Sequence, residues 1–229
     1  MTIIMYDLAA AEDRRPSPFC WRTRMALAHK GLDCETRPTM FREIPEILGG
    51  GHKTVPVIVD GDRTIADSWA IAEYLEDTYP DAPSLFGGAA GKALTRFVDS
   101  WVATVVHAGL ITMVVKDIHD HVDAGDKPYF RSNREQRFGK PLEEVVAGRD
   151  ERLPVFRQNL FALRHCLRNQ PFLGGDQPLY ADYIAFGAFQ WARAISDFRV
   201  VETDDPIWNW LERCRDLHGG IARASTTCY

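Results

Sequence analysis

The apolar pattern changes period once along the chain, and that change governs how the polypeptide can be divided. Up to Tyr79, short strand-type apolar runs alternate with helical patterns; from Lys92 onward the spacing is helical throughout. The stretch between them, residues 80–91, is rich in proline and glycine. The sequence therefore predicts an α/β unit over residues 1–79, a linker over 80–91 and an all-helical unit over 92–229.

Within the first unit, Thr2–Leu8 is β-branched and apolar and predicts a buried strand, followed by a polar loop from Ala9 to Pro16. Ser17 and Pro18 suit the N-cap and first position of a helix that runs to Lys30 and stops at Gly31. Asp33–Pro38 predicts a second strand, and Phe41–Leu48 an irregular segment with a short helix, interrupted by Gly49-Gly50-Gly51. Val55–Val59 has strand character with Pro56 inside it, Asp60-Gly61-Asp62 is a tight turn, and Arg63–Ala66 returns as the hairpin partner. A helix over Ser68–Tyr79, capped by Asp67 or Ser68, completes the order βαβ(α)ββα. This is a parallel pair extended by a hairpin, with helices on its faces.

Two places in this unit carry chemistry. Ser17-Pro18-Phe19-Cys20 has the shape of a C-x-x-C thiol–disulfide site with serine in the first position. The first helical turn leaves four N–H groups free, and with the positive end of the helix dipole they favour an anion in front of Ser17, a thiolate among them. Pro56 cannot donate to a sheet ladder. It therefore marks an edge strand, or a cis peptide after Val55 that presents the Val55 N–H and C=O as a free edge for a peptide.

Charge and cysteine content narrow the partners. A net charge of −5 and a pI near 5.8 argue against nucleic acid or an anionic membrane surface. The five cysteines are widely spaced and lack metal-type pairing, so neither a disulfide framework nor a metal site is expected, and a reducing, cytoplasmic setting fits. Met1–Leu8 lacks the basic flank of a secretory signal. Val102–Val115, the most apolar long segment, holds His107 and is too short to span a bilayer, so no membrane crossing is expected.

In the second unit, Leu94, Phe97, Val98, Trp101 and Val105 mark a long helix from Lys92 to Asp117, with a polar break over Asp120–Lys127. Tyr129–Phe138 and Leu142–Arg152 are further helices, and Pro154 starts or kinks the next, which continues through Leu167. Gly174–Pro178 is a turn, Ala181–Ile195 a central buried helix, and Asp204-Asp205-Pro206 caps a last helix over Ile207–Leu217.

The serine-capped first helix, Thr54-Val55-Pro56-Val57-Ile58 and Ile65-Ala66-Asp67-Ser68-Trp69, in this order and spacing, resemble the thioredoxin-like domain of the glutathione transferases. The second unit resembles their all-helical domain, Ala181-Asp182 included, except that Leu179 stands where a capping Ser or Thr is usual. Over nearly the whole chain, Tyr6-Asp7-Leu8, Ser17-Pro18-Phe19, Leu173-Gly174-Gly175-Asp176-Gln177-Pro178 and Ala181-Asp182-Tyr183 are similar to the bacterial β-etherase type. These enzymes cleave lignin β-aryl ethers.

The resemblance implies glutathione as cosubstrate, no metal, a hydrophobic aromatic electrophile as acceptor and a homodimer. It implies Val55, before Pro56, on the cysteinyl unit, Asp67 and Ser68 on the γ-glutamyl group, and Phe19 beside them. His52 and Lys53 are candidates for the glycyl carboxylate. Ser17 is then the hydrogen-bond donor to the thiolate, and Tyr6, Trp101, His107 and Met113 are candidates for the acceptor pocket. Two other functions use the same fold: general detoxifying conjugation, and non-catalytic carriage of glutathione or hydrophobic ligands. Disulfide reduction would want a cysteine at position 17, and Cys20 is expected in the core.

Overall fold

The computed structural model describes residues 2–229; Met1, the first residue of the N-terminal apolar run, lies outside them. Four strands, β1 (Ile3–Leu8), β2 (Cys34–Thr39), β3 (Val57–Asp60) and β4 (Arg63–Ala66), form one mixed sheet in the order β2-β1-β3-β4. β1 runs parallel to β2, and the β3–β4 hairpin pairs antiparallel with β1 through Tyr6 and Val57. Pro38 is tolerated in β2 because that strand is an edge. Two helices complete the sheet domain, α1 (Pro18–His29) and α2 (Ser68–Thr78). Val55 and Pro56 stand before β3 rather than inside it, and the peptide between them is cis. The missing proline N–H is thus kept out of the ladder.

The helical domain opens with α3 (Ala89–Trp101), three residues inside the stretch expected to be linker. It continues through a π-helical turn, Val102–His107, into α4 (Ala108–His121). This run of 33 residues is long and apolar enough to cross a bilayer by length and composition, although Val102–Val115 alone is not. In the fold its residues Val102, Val106, Leu110 and Val114 are buried in the protein core. Its charged residues Lys92, Asp99 and Asp117 pair with Glu73, Arg22 and Arg149.

Four shorter helices follow: α5 (Lys127–Phe138), α6 (Leu142–Val146), α7 (Arg149–Asn159) and α8 (Phe161–Asn169). Two expectations are corrected here. The helix expected over Leu142–Arg152 breaks at Ala147-Gly148, where Gly148 has a left-handed φ of 65° that ends α6 and begins α7. Pro154 lies inside α7; it forfeits one helical hydrogen bond, and the chain breaks later, at Leu160.

α9 (Tyr180–Ile195) is buried along its whole length except at Arg193, and α10 (Pro206–Asp216) is capped by Asp205, which accepts from Ile207 N–H at 2.9 Å. With no hydroxyl at Leu179, Asp182 alone secures the start of α9. Its carboxylate accepts from Leu173, Gly174 and Leu179 N–H and from Trp210 Nε1–H, at 2.7 to 3.0 Å. α9 also packs against α1 at van der Waals limits: a Cβ on Gly187 would stand 2.5 Å from the Pro18 carbonyl oxygen.

Candidate active site

Ser17 takes the N-cap of α1 as its sequence position predicts. Its Oγ accepts from Cys20 N–H at 3.1 Å, and the residue is 4% exposed. With that lone pair used in capping, the hydroxyl hydrogen remains available as a donor into the cleft. Cys20 faces the other way, into the core, where its sulfur accepts from Leu8 N–H. Burial pushes the Cys20 thiol well above its ordinary range. It is held as a protonated thiol.

Val55, beside Ser17 in the cleft wall, has a free edge: among the described residues no backbone hydrogen bond within the chain engages its N–H or C=O. Asp67 caps α2 from a strained backbone, φ 77° and ψ 127°, a region that non-glycine residues avoid. One oxygen, Oδ1, accepts from both Trp69 N–H (2.9 Å) and Ala70 N–H (3.0 Å). Oδ2 is left for another partner. Ser68 is buried behind it.

These groups line a single cavity of about 720 Å³ between the sheet domain and the helical domain. From the sheet domain come Ser17, Lys53, Val55, Pro56, Asp67 and Ser68. Phe19 and His107 meet across it, with ring centres 6.2 Å apart, and His107 stacks on Trp191 at 4.8 Å. Burial, reinforced by Arg22, Arg137 and Arg134, pushes the His107 pKa down to about 4. At neutral pH His107 is an uncharged wall.

Four expected residues fall outside this lining. Tyr6 lies on the same face of β1 as Leu8 but one pleat further from the cleft, its ring and hydroxyl engaged by Arg37. Met113 is buried in the core, because the cleft-facing stripe of the long helix is His107, Ile111 and Ile118. Trp101, the last residue of α3, packs partly buried against the core instead of lining the cleft. His52 is adjacent to Lys53, but only Lys53 reaches the lining.

The residues that the sequence reading missed lie mainly on α5. Tyr129, Asn133 and Arg137, four residues apart, make one helical stripe, with Phe130 and Arg134 beside it. That spacing was visible in the sequence. Its orientation depends on how α5 docks. The turn Phe41–Pro45 supplies the remaining wall, tied to the start of α5 where the Asp126 carboxylate accepts from Phe41 and Arg42 N–H.

Comparison with known proteins agrees with this architecture. Residues 13–83 match the glutathione S-transferase N-terminal domain family, and residues 93–217 match the glutathione S-transferase C-terminal domain family. The chain is 32% identical over 201 residues to a glutathione S-transferase-like protein of Aspergillus flavus, covering 75% of this chain and 72% of that one. It is 27% identical to glutathione S-transferase U26 of Arabidopsis thaliana, over 88% and 82% of the two chains. Among solved structures, glutathione transferase GSTFuA2 of Phanerochaete chrysosporium superposes with a TM-score of 0.77 at 28% identity, over 96% and 93% of the chains. A glutathione S-transferase of Ceriporiopsis subvermispora, solved in complex with glutathione, has the same fold, with a TM-score of 0.78 at 23% identity over 96% and 97%.

Proposed function

The chain belongs to the glutathione S-transferase family, and from that premise we propose that Ser17 activates the thiol of bound glutathione for attack on an aromatic electrophile. The supporting observation is that the Ser17 hydroxyl, the free Val55 edge and the Asp67 carboxylate open into one cavity. The Val55 backbone pairs with the cysteinyl unit. Asp67 Oδ2 receives the α-ammonium, the α2 N-terminus with Ser68 receives the α-carboxylate, and Lys53 the glycyl carboxylate.

The thiol then lies before Ser17 and the first turn of α1. A hydroxyl hydrogen bond and the helix N-terminus stabilise its thiolate by about 2–3 kcal/mol, which lowers its pKa by roughly two units. With an aryl ether flanked by a ketone as acceptor, the thiolate forms a C–S bond at the carbon between ketone and ether oxygen. The C–O bond breaks, and a phenolate leaves. The ketone activates that carbon, and phenolate is stable enough to depart without a metal.

The same reading places the enzyme in a reducing cytoplasm, supported by five cysteines that are all free in the fold. It makes the enzyme a homodimer, supported by Leu94 and Phe97, which stand 70% and 72% exposed one turn apart on α3. The deciding experiment is incubation with glutathione and a β-aryl-ether ketone, with the released phenol and the thioether quantified. Turnover that depends on Ser17 supports the etherase reading. Conjugation of other electrophiles without ether cleavage would restrict the enzyme to general conjugation.

A further inference from the structure

Arg134 and Arg137 project from α5 into the cavity without a counter-charge. Of the acids on α5 and α6, Arg131 pairs with Glu135 at 2.8 Å and Glu143 at 2.9 Å, and Glu144 is exposed and pairs with neither Arg134 nor Arg137. Arg42, the other arginine in the lining, is held by Asp123 and Asp126. Among the described residues, neither Arg134 nor Arg137 has a carboxylate within 4.0 Å. Arg134 is half-buried, lies over the Phe130 ring at 4.9 Å and donates only to the Asn133 side-chain oxygen. Burial and the neighbouring Arg137 both lower its pKa, the direction expected of a cation short of compensation.

The surface around this pair is aromatic, with Phe19, Tyr129, Phe130 and Trp191 in the same lining. Neither carboxylate of glutathione is needed there, because Ser68 with the α2 N-terminus and Lys53 already answer both on the sheet-domain side. We propose that the acceptor is an aryl carboxylate, its ring in the aromatic part of the cavity and its carboxylate gripped by Arg134 and Arg137. The guanidinium fork suits the two oxygens of a carboxylate. This inference rests on the transferase reading of the cavity.

The test uses matched, unreactive ligands: 4-amino-3-nitrobenzoate and its methyl ester, titrated calorimetrically into the glutathione-saturated protein. The benzoate is expected to bind about tenfold or more tightly than the ester, the effect of a hydrogen bond to a charged group. Arg134→Gln should erase that advantage while glutathione affinity stays within about twofold of wild type. In the wild-type protein, which needs no refolded variant, added salt should weaken the benzoate and leave the ester unchanged. Equal affinities, tighter binding of the ester, or an equal loss for both ligands in Arg134→Gln would overturn the proposal. So would a glutathione affinity that falls as far as the benzoate affinity. Absence of conjugation of 4-chloro-3-nitrobenzoate with the binding preference intact would count against the transferase reading alone; conjugation of its methyl ester with no preference would count against this inference alone.

Discussion

The hydroxyl of Tyr180, at the start of α9, donates a 2.7 Å hydrogen bond to the carbonyl oxygen of Ser68, the first residue of α2. Tyr180 is fully buried, its ring edge-on to Trp69 and Phe86. The start of α2, where we propose that the γ-glutamyl group binds, is therefore braced from the other domain. Tyr180→Phe removes this second hydrogen bond to a carbonyl that the helix also engages, at a cost of about 0.5–1.5 kcal/mol. Thermal unfolding should show the loss, and the KM for glutathione should rise severalfold more than kcat falls. An unchanged KM would confine the bond to stability.

Ser17→Ala removes the hydroxyl donor and the α1 cap together. Loss of the cap costs about 1 kcal/mol, seen in denaturant unfolding. Loss of the donor raises the pKa of bound glutathione by about one to two units, read from thiolate ultraviolet absorbance against pH, and lowers kcat near neutrality by roughly tenfold to a hundredfold. Glutathione still binds. Turnover equal to wild type would remove Ser17 from the mechanism.

Stability should fall as the solution is acidified from pH 6.5 toward 4. His29 Nε2 faces the Ser84 carbonyl at 3.1 Å, so that nitrogen carries the hydrogen, and Nδ1 accepts from the Tyr183 hydroxyl at 2.7 Å. The Tyr183 oxygen in turn accepts from His218 Nε2–H at 2.9 Å. Burial lowers the His29 pKa and takes His218 and His107 down to about 4. All three are neutral when folded, so between the two pKa values the unfolded chain binds more protons. Their contribution is present above pH 6.5, declines below it and is lost as pH falls through about 4. For His218, which is partly exposed and screened by solvent, it is of the order of 1–2 kcal/mol. A His218→Gln variant should flatten the pH dependence of the melting temperature by removing the half-buried imidazole that titrates at about 4.

Gly187→Ala drives a methyl group into the Pro18 carbonyl, 2.5 Å away, where both elements are backbone and neither yields by rotating a side chain. The strain should cost about 1–3 kcal/mol and displace the first turn of α1. Because Ser17 caps that turn, kcat should fall along with melting temperature. A destabilised variant with wild-type kcat would show that α1 and α9 separate without disturbing the serine.

Leu94→Glu with Phe97→Glu places two charges on the exposed face of α3. The monomer fold should lose less than about 0.5 kcal/mol, since neither side chain is buried in it. Sedimentation should show the assembly reduced to single chains. A dimer that persists would put the interface elsewhere.

Local chemistry was the legible part of the sequence. Ser17 and Pro18 define a helix start within a few residues, and Asp67 does the same for α2, so the sheet-domain half of the cleft follows from the chain itself. The acceptor half depends on contacts between distant residues. On the long helix only the stripe His107, Ile111 and Ile118 faces the cleft, so Trp101 and Met113 were assigned to a side they do not occupy. Arg134 sits four residues after Phe130 on a polar helix, and only the docking of α5 brings it near His107. Pro56 carried the reverse lesson: its sequence context allowed an edge strand or a cis turn, and only the fold chose between them.

α9 touches the site at three separate points: Tyr180 at Ser68, Gly187 at Pro18 and Trp191 at His107. The segment between the domains is therefore a poor place to recombine this enzyme with a relative. A crossover there would join two well-folded halves, yet it would exchange the helix against which the Ser17 turn is seated. Under the proposed mechanism the heritable unit of catalysis is the sheet domain together with α9. Chimeras that keep that pair and vary α5 would change the preferred acceptor and leave the glutathione chemistry in place.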